Sequence, residues 1–187
     1  SAFGLRSLSN LAYKFCMRFF RSHRSRSDYA GAYTDFVGKL IRKNPYDTAI
    51  RAAAGPPDEY EHVAAVEREV LIGAGLKPDH YLIDVGCGGG RLESALASYL
   101  TGPLLGTDVV PLLLSHAKKA FPQWRFERVD RIVIPEDDER ADMVCFFSVL
   151  THLLHEDAYH YLQEARRVLK PGGRIVFSFL DFKYPGH

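Results

Sequence analysis

Two carboxylates and a run of glycines carry the strongest chemical signal in the sequence. Asp84-Val85-Gly86-Cys87-Gly88-Gly89-Gly90 begins at the end of a short strand-like run, Tyr81 to Val85, and directly precedes a helical pattern. Glycines there permit positive backbone angles and let a ligand approach the main chain. Open α/β sheets take up ligands at such loops, outside the carboxyl ends of their strands. Asp108 stands 20 residues after Gly88, just past a second apolar run, Leu104 to Gly106. A carboxylate in that place can accept both hydroxyls of a ribose.

Two ligand classes use this geometry. A dinucleotide site asks for Gly-x-Gly-x-x-Gly. Counted from Gly86 the third glycine position holds Arg91, and counted from Gly88 it holds Glu93. Asp84 would also bring negative charge to a pyrophosphate at the helix start. An adenosyl ligand with a cationic sulfonium and an amino-acid tail meets neither objection. Asp84 could hold its ammonium, directly or through water.

The elements that position these residues alternate. After the glycine loop a helix runs to about Tyr99, and the second strand leads to Asp108. Pro111 opens a helix to Ala120. Trp124 to Phe126 reads as a third strand and Ala141 to Phe147 as a fourth. A helix follows from about Glu156 to Leu169. Pro171-Gly172-Gly173 reads as a sharp turn before a fifth strand, Arg174 to Leu180. Strands alternating with helices predict a doubly wound, mostly parallel sheet covered on both faces. Upstream, Asp58 to Ile72 reads as a helix capped by Asp58, and Pro45 and Gly55-Pro56-Pro57 punctuate the approach.

The chain is 187 residues, 47% hydrophobic and 25% charged, which describes one globular domain with a modest addition. Three widely spaced cysteines, Cys16, Cys87 and Cys145, form neither a disulfide framework nor a zinc pattern. A reducing compartment is the default, and the localisation expected is cytoplasmic. The net charge of +1 hides an asymmetry: residues 1–43 hold 9 Lys and Arg against 2 Asp and Glu, and the rest hold 15 against 21. A basic leader, residues 1–44, precedes an acidic domain, residues 45–187. In the leader Leu5, Leu8, Leu11, Ala12, Phe15 and Phe19 recur at helical spacing. Ser22 to Ser27 is a polar break, and a second amphipathic piece spans Tyr29 to Ile41. This leader suits a lid over the site first, and a peripheral contact with the inner membrane surface second. Nucleic acid ranks last among its partners, because the acidic domain would repel phosphates.

The motifs together resemble a known family. YLIDVGCGGGR (81–91), GTDV (106–109), FERVD (126–130), ADMVCFFSVLTHL (141–153) and EARRVLKPGGRIVF (164–177) follow one another as in class I S-adenosylmethionine-dependent methyltransferases. The type 11/12 group, with small-molecule and glycan-modifying members, is the most similar. The resemblance implies a Rossmann-like sandwich and methyl transfer from S-adenosyl-L-methionine to a small or glycan-like acceptor. It implies S-adenosyl-L-homocysteine as product and no metal. It further implies that Gly86, Gly88 and Gly90 pass under the methionine and ribose, with Cys87 among them. Asp108 would bind the ribose hydroxyls and Val109 would pack on adenine. Asp130 would accept from the adenine amine, beside the Arg131 main chain. Phe147 and Ser148 would border the methionine, and Tyr60 would cover the cofactor.

Other residues invite chemistry less strongly. Cys87 has no identifiable partner base, so a small residue tolerated beside backbone is the better reading. His152, His155 and His160 lack an evident further ligand for a metal site. His152, near the methyl end of the cofactor, could serve as a general base for a hydroxyl acceptor, with helix packing as the bland reading. Family members carry two further strands after the fifth, whereas this sequence ends at DFKYPGH (181–187). Strands six and seven are therefore expected to be missing, which leaves the fifth strand's edge open to a homodimer. A non-catalytic S-adenosylmethionine-binding scaffold and, behind it, a nicotinamide-dependent reductase remain the rival functions.

Overall fold

A computed structural model describes residues 26–179. Five strands form one parallel sheet in the order β3-β2-β1-β4-β5. They are β1 (Leu82–Val85), β2 (Leu104–Asp108), β3 (Arg125–Arg128), β4 (Ala141–Phe146) and β5 (Leu169–Phe177). The helices are α1 (Arg26–Lys43), α2 (Tyr46–Ala53), α3 (Tyr60–Gly73), α4 (Arg91–Leu96), α5 (Pro111–Ala120) and α6 (His155–Val168). This is the doubly wound, Rossmann-like arrangement that the alternating pattern predicts.

The sheet's two faces are read by alternate residues. Every residue of β1 and β2 is buried, as strands covered on both sides require. Leu82, Leu104, Met143 and Cys145 join Leu71 of α3, Leu92 and Leu96 of α4 and Leu114 of α5 on one face. Ile83, Val85, Leu105, Val144 and Phe146 join Tyr161, Ala165 and Val168 of α6 on the other. Each such aliphatic side chain contributes about 1.5–3 kcal/mol by leaving water. A third cluster packs Val37 of α1 and Ile50 of α2 on Val110 and Leu113. The α1–α2 pair therefore lies over the chain just after Asp108.

Several elements differ from the sequence reading. Asp58 caps nothing: it lies in a 3-10 turn, Pro57–Glu59, and α3 begins after it without a side-chain cap. Helix α2 was not expected, and α4 stops at Leu96, short of Tyr99. The third strand sits slightly later, at Arg125–Arg128. Pro171-Gly172-Gly173 does not precede β5 but bulges out of it. Pairing runs from Ala141↔Leu169 to Met143↔Arg174, so two steps on β4 face five on β5. The amphipathic run from Leu5 to Phe19 lies outside the described residues. Arg26 and Ser27, expected in the polar break, are already helical. No helix among the described residues is long and apolar enough to cross a membrane.

Candidate functional site

The glycine loop is fixed to β2 by its own backbone. The N–H groups of Gly86 and Cys87 both donate to the Thr107 carbonyl, at 2.7 and 3.0 Å. Gly88 N–H donates to Asp108 Oδ2 at 3.0 Å, and Val110 N–H donates to Asp108 Oδ1 at 2.8 Å. One carboxylate thus pins the loop and the start of α5 while keeping further lone pairs for a ligand. Burial pushes its pKa up to about 6. Gly88 has φ +57°, and a Cβ built there would meet nothing within 4 Å. That open cradle beside Asp108 is where a ligand can lie against main chain. At Gly86, φ +81°, a Cβ would instead strike Val149, so the segment after β4 presses on the loop.

Asp84 ends up inside the sheet's helix-covered face, not at the solvent. It pairs in register with Gly106 on β2 and Cys145 on β4. Cys145 Sγ donates to Asp84 Oδ1 at 3.4 Å. Burial, reinforced by the charge of Glu67, pushes Asp84 up to about 7. Arg91 is occupied: its Nε reaches Glu67 Oε2 at 3.2 Å and its Nη1 reaches the Ala54 carbonyl at 2.7 Å. The guanidinium beside the loop is therefore committed to α3 and the end of α2. An acidic compartment with its cation already paired fits a positively charged ligand and mismatches a pyrophosphate. The residues present fit an adenosyl ligand carrying a sulfonium and an ammonium.

The other expected site residues sit on α3 and on the segments that follow β2, β3 and β4. Tyr60, at the first position of α3, lies under the Arg51 guanidinium, 4.8 Å from its ring centroid. Burial pushes its hydroxyl up to about 12, and Arg91 and Glu93 act on it. Val109 packs on the α1–α2 cluster. Val129 N–H donates to the Asp108 carbonyl at 3.1 Å, so exposed Asp130 and Arg131 leave the sheet beside Asp108. Phe147 packs against the face that holds Asp84's neighbours. Ser148 has φ +59°, and its N–H donates to Ser178 Oγ at 2.7 Å. A non-glycine residue held in this region stores strain at the mouth of β4. His152 lies in the 3-10 turn Leu150–His152, where burial pushes its pKa down to about 4.

Cys87 points inward. Its thiol is buried, burial holds it well above the usual range, and a Cβ at Gly106 would meet its Sγ at 2.8 Å. His155 and His160 are exposed, with His160 Nδ1 3.3 Å from Gln163 Oε1. Among the described residues no group of three or more His, Cys, Asp and Glu could hold a metal ion. The sequence reading missed Glu67, Glu93 and Cys145 as neighbours of Asp84. The available signal was Glu93 itself, a carboxylate set in the apolar face between Leu92 and Leu96.

Comparison with known proteins decides the family. Residues 83–177 match the family described as methyltransferase domain. The chain belongs to that family. It is a class I S-adenosylmethionine-dependent methyltransferase domain, with S-adenosylmethionine as its cofactor. The ubiquinone biosynthesis O-methyltransferase of Coxiella burnetii is 28% identical over 115 residues, covering 60% of this chain and 48% of that protein. The enzyme of that name from Cereibacter sphaeroides is 31% identical over 104 residues, 54% of this chain and 41% of that one. The methyltransferase domain thus spans about half the length of the curated relatives it matches. A TehB-like S-adenosylmethionine-dependent methyltransferase from Corynebacterium glutamicum superposes with a TM-score of 0.55 at 26% identity, over 80% of this chain and 73% of that one. The Haemonchus contortus phosphoethanolamine N-methyltransferase 1, solved with phosphoethanolamine and S-adenosylhomocysteine, gives 0.65 at 19% identity, over 84% of this chain and 34% of that one. At that identity the likeness concerns the fold.

Proposed function

We propose that this protein transfers a methyl group from S-adenosylmethionine to the hydroxyl oxygen of a small organic acceptor. The observation that carries the reading is the open cradle at Gly88 beside the buried Asp108 carboxyl, with a second buried carboxyl, Asp84, on the strand that leads into the loop. Asp108 would take the ribose hydroxyls and Asp84 the tail ammonium. Val109, Asp130 and the Arg131 main chain would border the adenine. Phe147 and Ser148 would flank the methionine, and Tyr60 would cover it. Oxygen is preferred as the acceptor atom because the curated relatives are named O-methyltransferases.

Bound S-adenosylmethionine supplies an electrophilic methyl on a sulfonium. The chain's contribution is mainly to hold donor and acceptor in line, an effect that can supply about 7–11 kcal/mol. His152 is placed on the turn after β4, whose Val149 touches Gly86. Its lowered pKa keeps the imidazole neutral at physiological pH. A neutral ring nitrogen there would take the hydroxyl proton as the acceptor oxygen becomes positive, a step that asks for only a weak base. The α1–α2 pair would act as the cover, since Ile50 meets the loop at Gly89.

The test is calorimetry with S-adenosylhomocysteine, NAD and NADP in parallel. Transfer from methyl-labelled S-adenosylmethionine to phenols, catechols, sugars and phosphoethanolamine then follows. Binding of S-adenosylhomocysteine alone, with label on a phenolic or catecholic oxygen, is the expected result. Label on nitrogen or on sugars overturns the acceptor. Binding without transfer to any acceptor supports a scaffold instead, and binding of a nicotinamide cofactor overturns the whole reading.

A further inference from the structure

Glu93 is an unusual residue for its place. It lies in α4 between Leu92 and Leu96, and it is 0% exposed. Neither of its carboxyl oxygens has a hydrogen-bond partner among the described residues. Buried polar groups are almost always paired, so an orphan of this kind asks for an explanation. Its surroundings are acidic. Asp84 comes from β1, Glu67 and Tyr60 from α3, Arg91 from α4, Cys87 from the loop and Cys145 from β4. Three carboxyls therefore share one compartment with one guanidinium, and that guanidinium is held by Glu67. The one guanidinium is taken up by Glu67, so three carboxyls closed from water are short of positive charge, and neither Glu93 oxygen has a side-chain partner among the described residues.

The proposed function supplies both, because the amino-acid tail of the cofactor ends in an ammonium with three N–H donors. Resting on that reading, we propose that Glu93 is a second carboxyl receptor for the cofactor's α-ammonium, working beside Asp84. Ordinary aspartate chemistry at Asp84 can satisfy only part of such a group. Glu93 supplies a further acceptor from the opposite element. The arrangement makes the tail a recognition element in its own right, distinct from the ribose grip of Asp108. It also couples binding to protonation. Burial and the charge of Asp84 push the Glu93 carboxyl well above the usual carboxylate range, so an arriving cation favours its ionised form and proton release.

The experiment compares two ligands on the full chain. S-adenosylhomocysteine carries the tail, and 5′-methylthioadenosine lacks it. Glu93→Gln should weaken S-adenosylhomocysteine roughly ten- to hundredfold while leaving 5′-methylthioadenosine unchanged. Calorimetry of the unsubstituted protein in buffers of different ionisation enthalpy should show proton release with the first ligand only, and Glu93→Gln should abolish it. Glu93→Met guards against a folding artefact. It keeps the volume and removes the orphan carboxyl, so it should melt at a higher temperature yet lose the same ligand discrimination. Equal weakening of both ligands, or none of either, overturns the role of Glu93. Failure of the unsubstituted chain to bind either ligand overturns the cofactor reading, and this inference with it.

Discussion

Asp108 Oδ2 accepts the backbone N–H of Gly88 at 3.0 Å, across the gap between the carboxyl ends of β2 and β1. The same carboxylate accepts Val110 N–H through its other oxygen. The residue assigned to the ribose is thus also the clasp that shapes the loop beneath it. Asp108→Asn leaves one acceptor oxygen and turns an amide donor toward one of the two N–H groups. Asp108→Ala removes both acceptors. Each variant should lose S-adenosylhomocysteine binding by more than tenfold and should also lose about 1–2 kcal/mol of stability. Calorimetry and a denaturant melt on each check this, and near-wild-type affinity would sink the assignment.

The pH dependence of binding follows from the two carboxyls. Asp108 is raised to about 6 and Asp84 to about 7, in both cases mainly by burial. Both proposed ligand contacts need the ionised form. Affinity for S-adenosylhomocysteine should therefore strengthen between pH 5 and pH 8. Stability of the free protein runs the other way for these groups. A folded pKa above the unfolded one stabilises below the unfolded value, and that stabilisation is lost as pH rises through about 6 and then about 7. Dissociation constants measured across this range decide it; a flat profile would mean that neither carboxyl meets the ligand.

Two glycines of one loop should separate binding from folding. Gly88 has positive φ but open space around a built Cβ. Gly88→Ala carries about 1–2 kcal/mol of backbone strain and puts a methyl into the cradle. Gly90 also has positive φ, and its Cβ would meet the Phe121 ring at 2.7 Å. Gly90→Ala should therefore destabilise more, by overpacking the α4–α5 contact as well. Expected are a folded Gly88→Ala protein with binding reduced more than tenfold, and a Gly90→Ala protein whose melting temperature falls further. The reverse order of melting temperatures would contradict the packing at Phe121.

Much of this arrangement was legible in the sequence, and the illegible parts share a cause. Strands β1 and β2 stood out because both their faces are buried, so each opens on an apolar pair, Leu82-Ile83 and Leu104-Leu105, ahead of its carboxylate. Helix α5 announced itself with Pro111 at its first turn. Asp84, Gly88 and Asp108 were legible because one strand-loop-helix motif and one strand end carry them. Helix α2 was hidden: it has eight residues between prolines, with only Ala49 and Ile50 buried. Pro171-Gly172-Gly173 looked like a stop, yet β4 continues alongside and β5 resumes pairing past the bulge. The meeting of Asp84 with Cys145, Glu67 and Glu93 depends on sheet register and on α3 packing, and no local pattern encodes either.

Arg91 is the test of how the helical cover is joined to the site. It links Glu67 of α3 to the Ala54 carbonyl at the end of α2, and both ionic partners are largely buried, at 16% and 9% side-chain exposure. Arg91→Met keeps the stem but leaves Glu67 buried without its counter-ion. The expected loss is about 3 kcal/mol, the usual cost of stranding one member of a buried pair. Arg91→Met combined with Glu67→Met should recover most of it. A double variant no more stable than the single one would show that the guanidinium's contact with Ala54 matters more than its charge.

His152 gives a prediction whose two halves are linked. Burial lowers its pKa from 6.5 to about 4. A group with a depressed folded pKa stabilises fully above its unfolded value and loses that stabilisation as pH falls through the folded one. The window is therefore pH 6.5 down to about 4. His152→Gln cannot be protonated there, so the unsubstituted protein should lose about 3 kcal/mol more than the variant between pH 7 and pH 4. The same neutrality governs the proposed proton transfer. Methyl transfer should show no His152 limb between pH 6 and pH 8, and His152→Gln should lower kcat roughly 100-fold or more for hydroxyl acceptors. S-adenosylhomocysteine affinity should stay within about threefold, since His152 is assigned to the acceptor side. Urea melts at pH 7 and pH 4, with single-turnover rates at pH 7, measure both halves. Loss of acid sensitivity without loss of rate would leave His152 a packing residue and remove it from the chemistry.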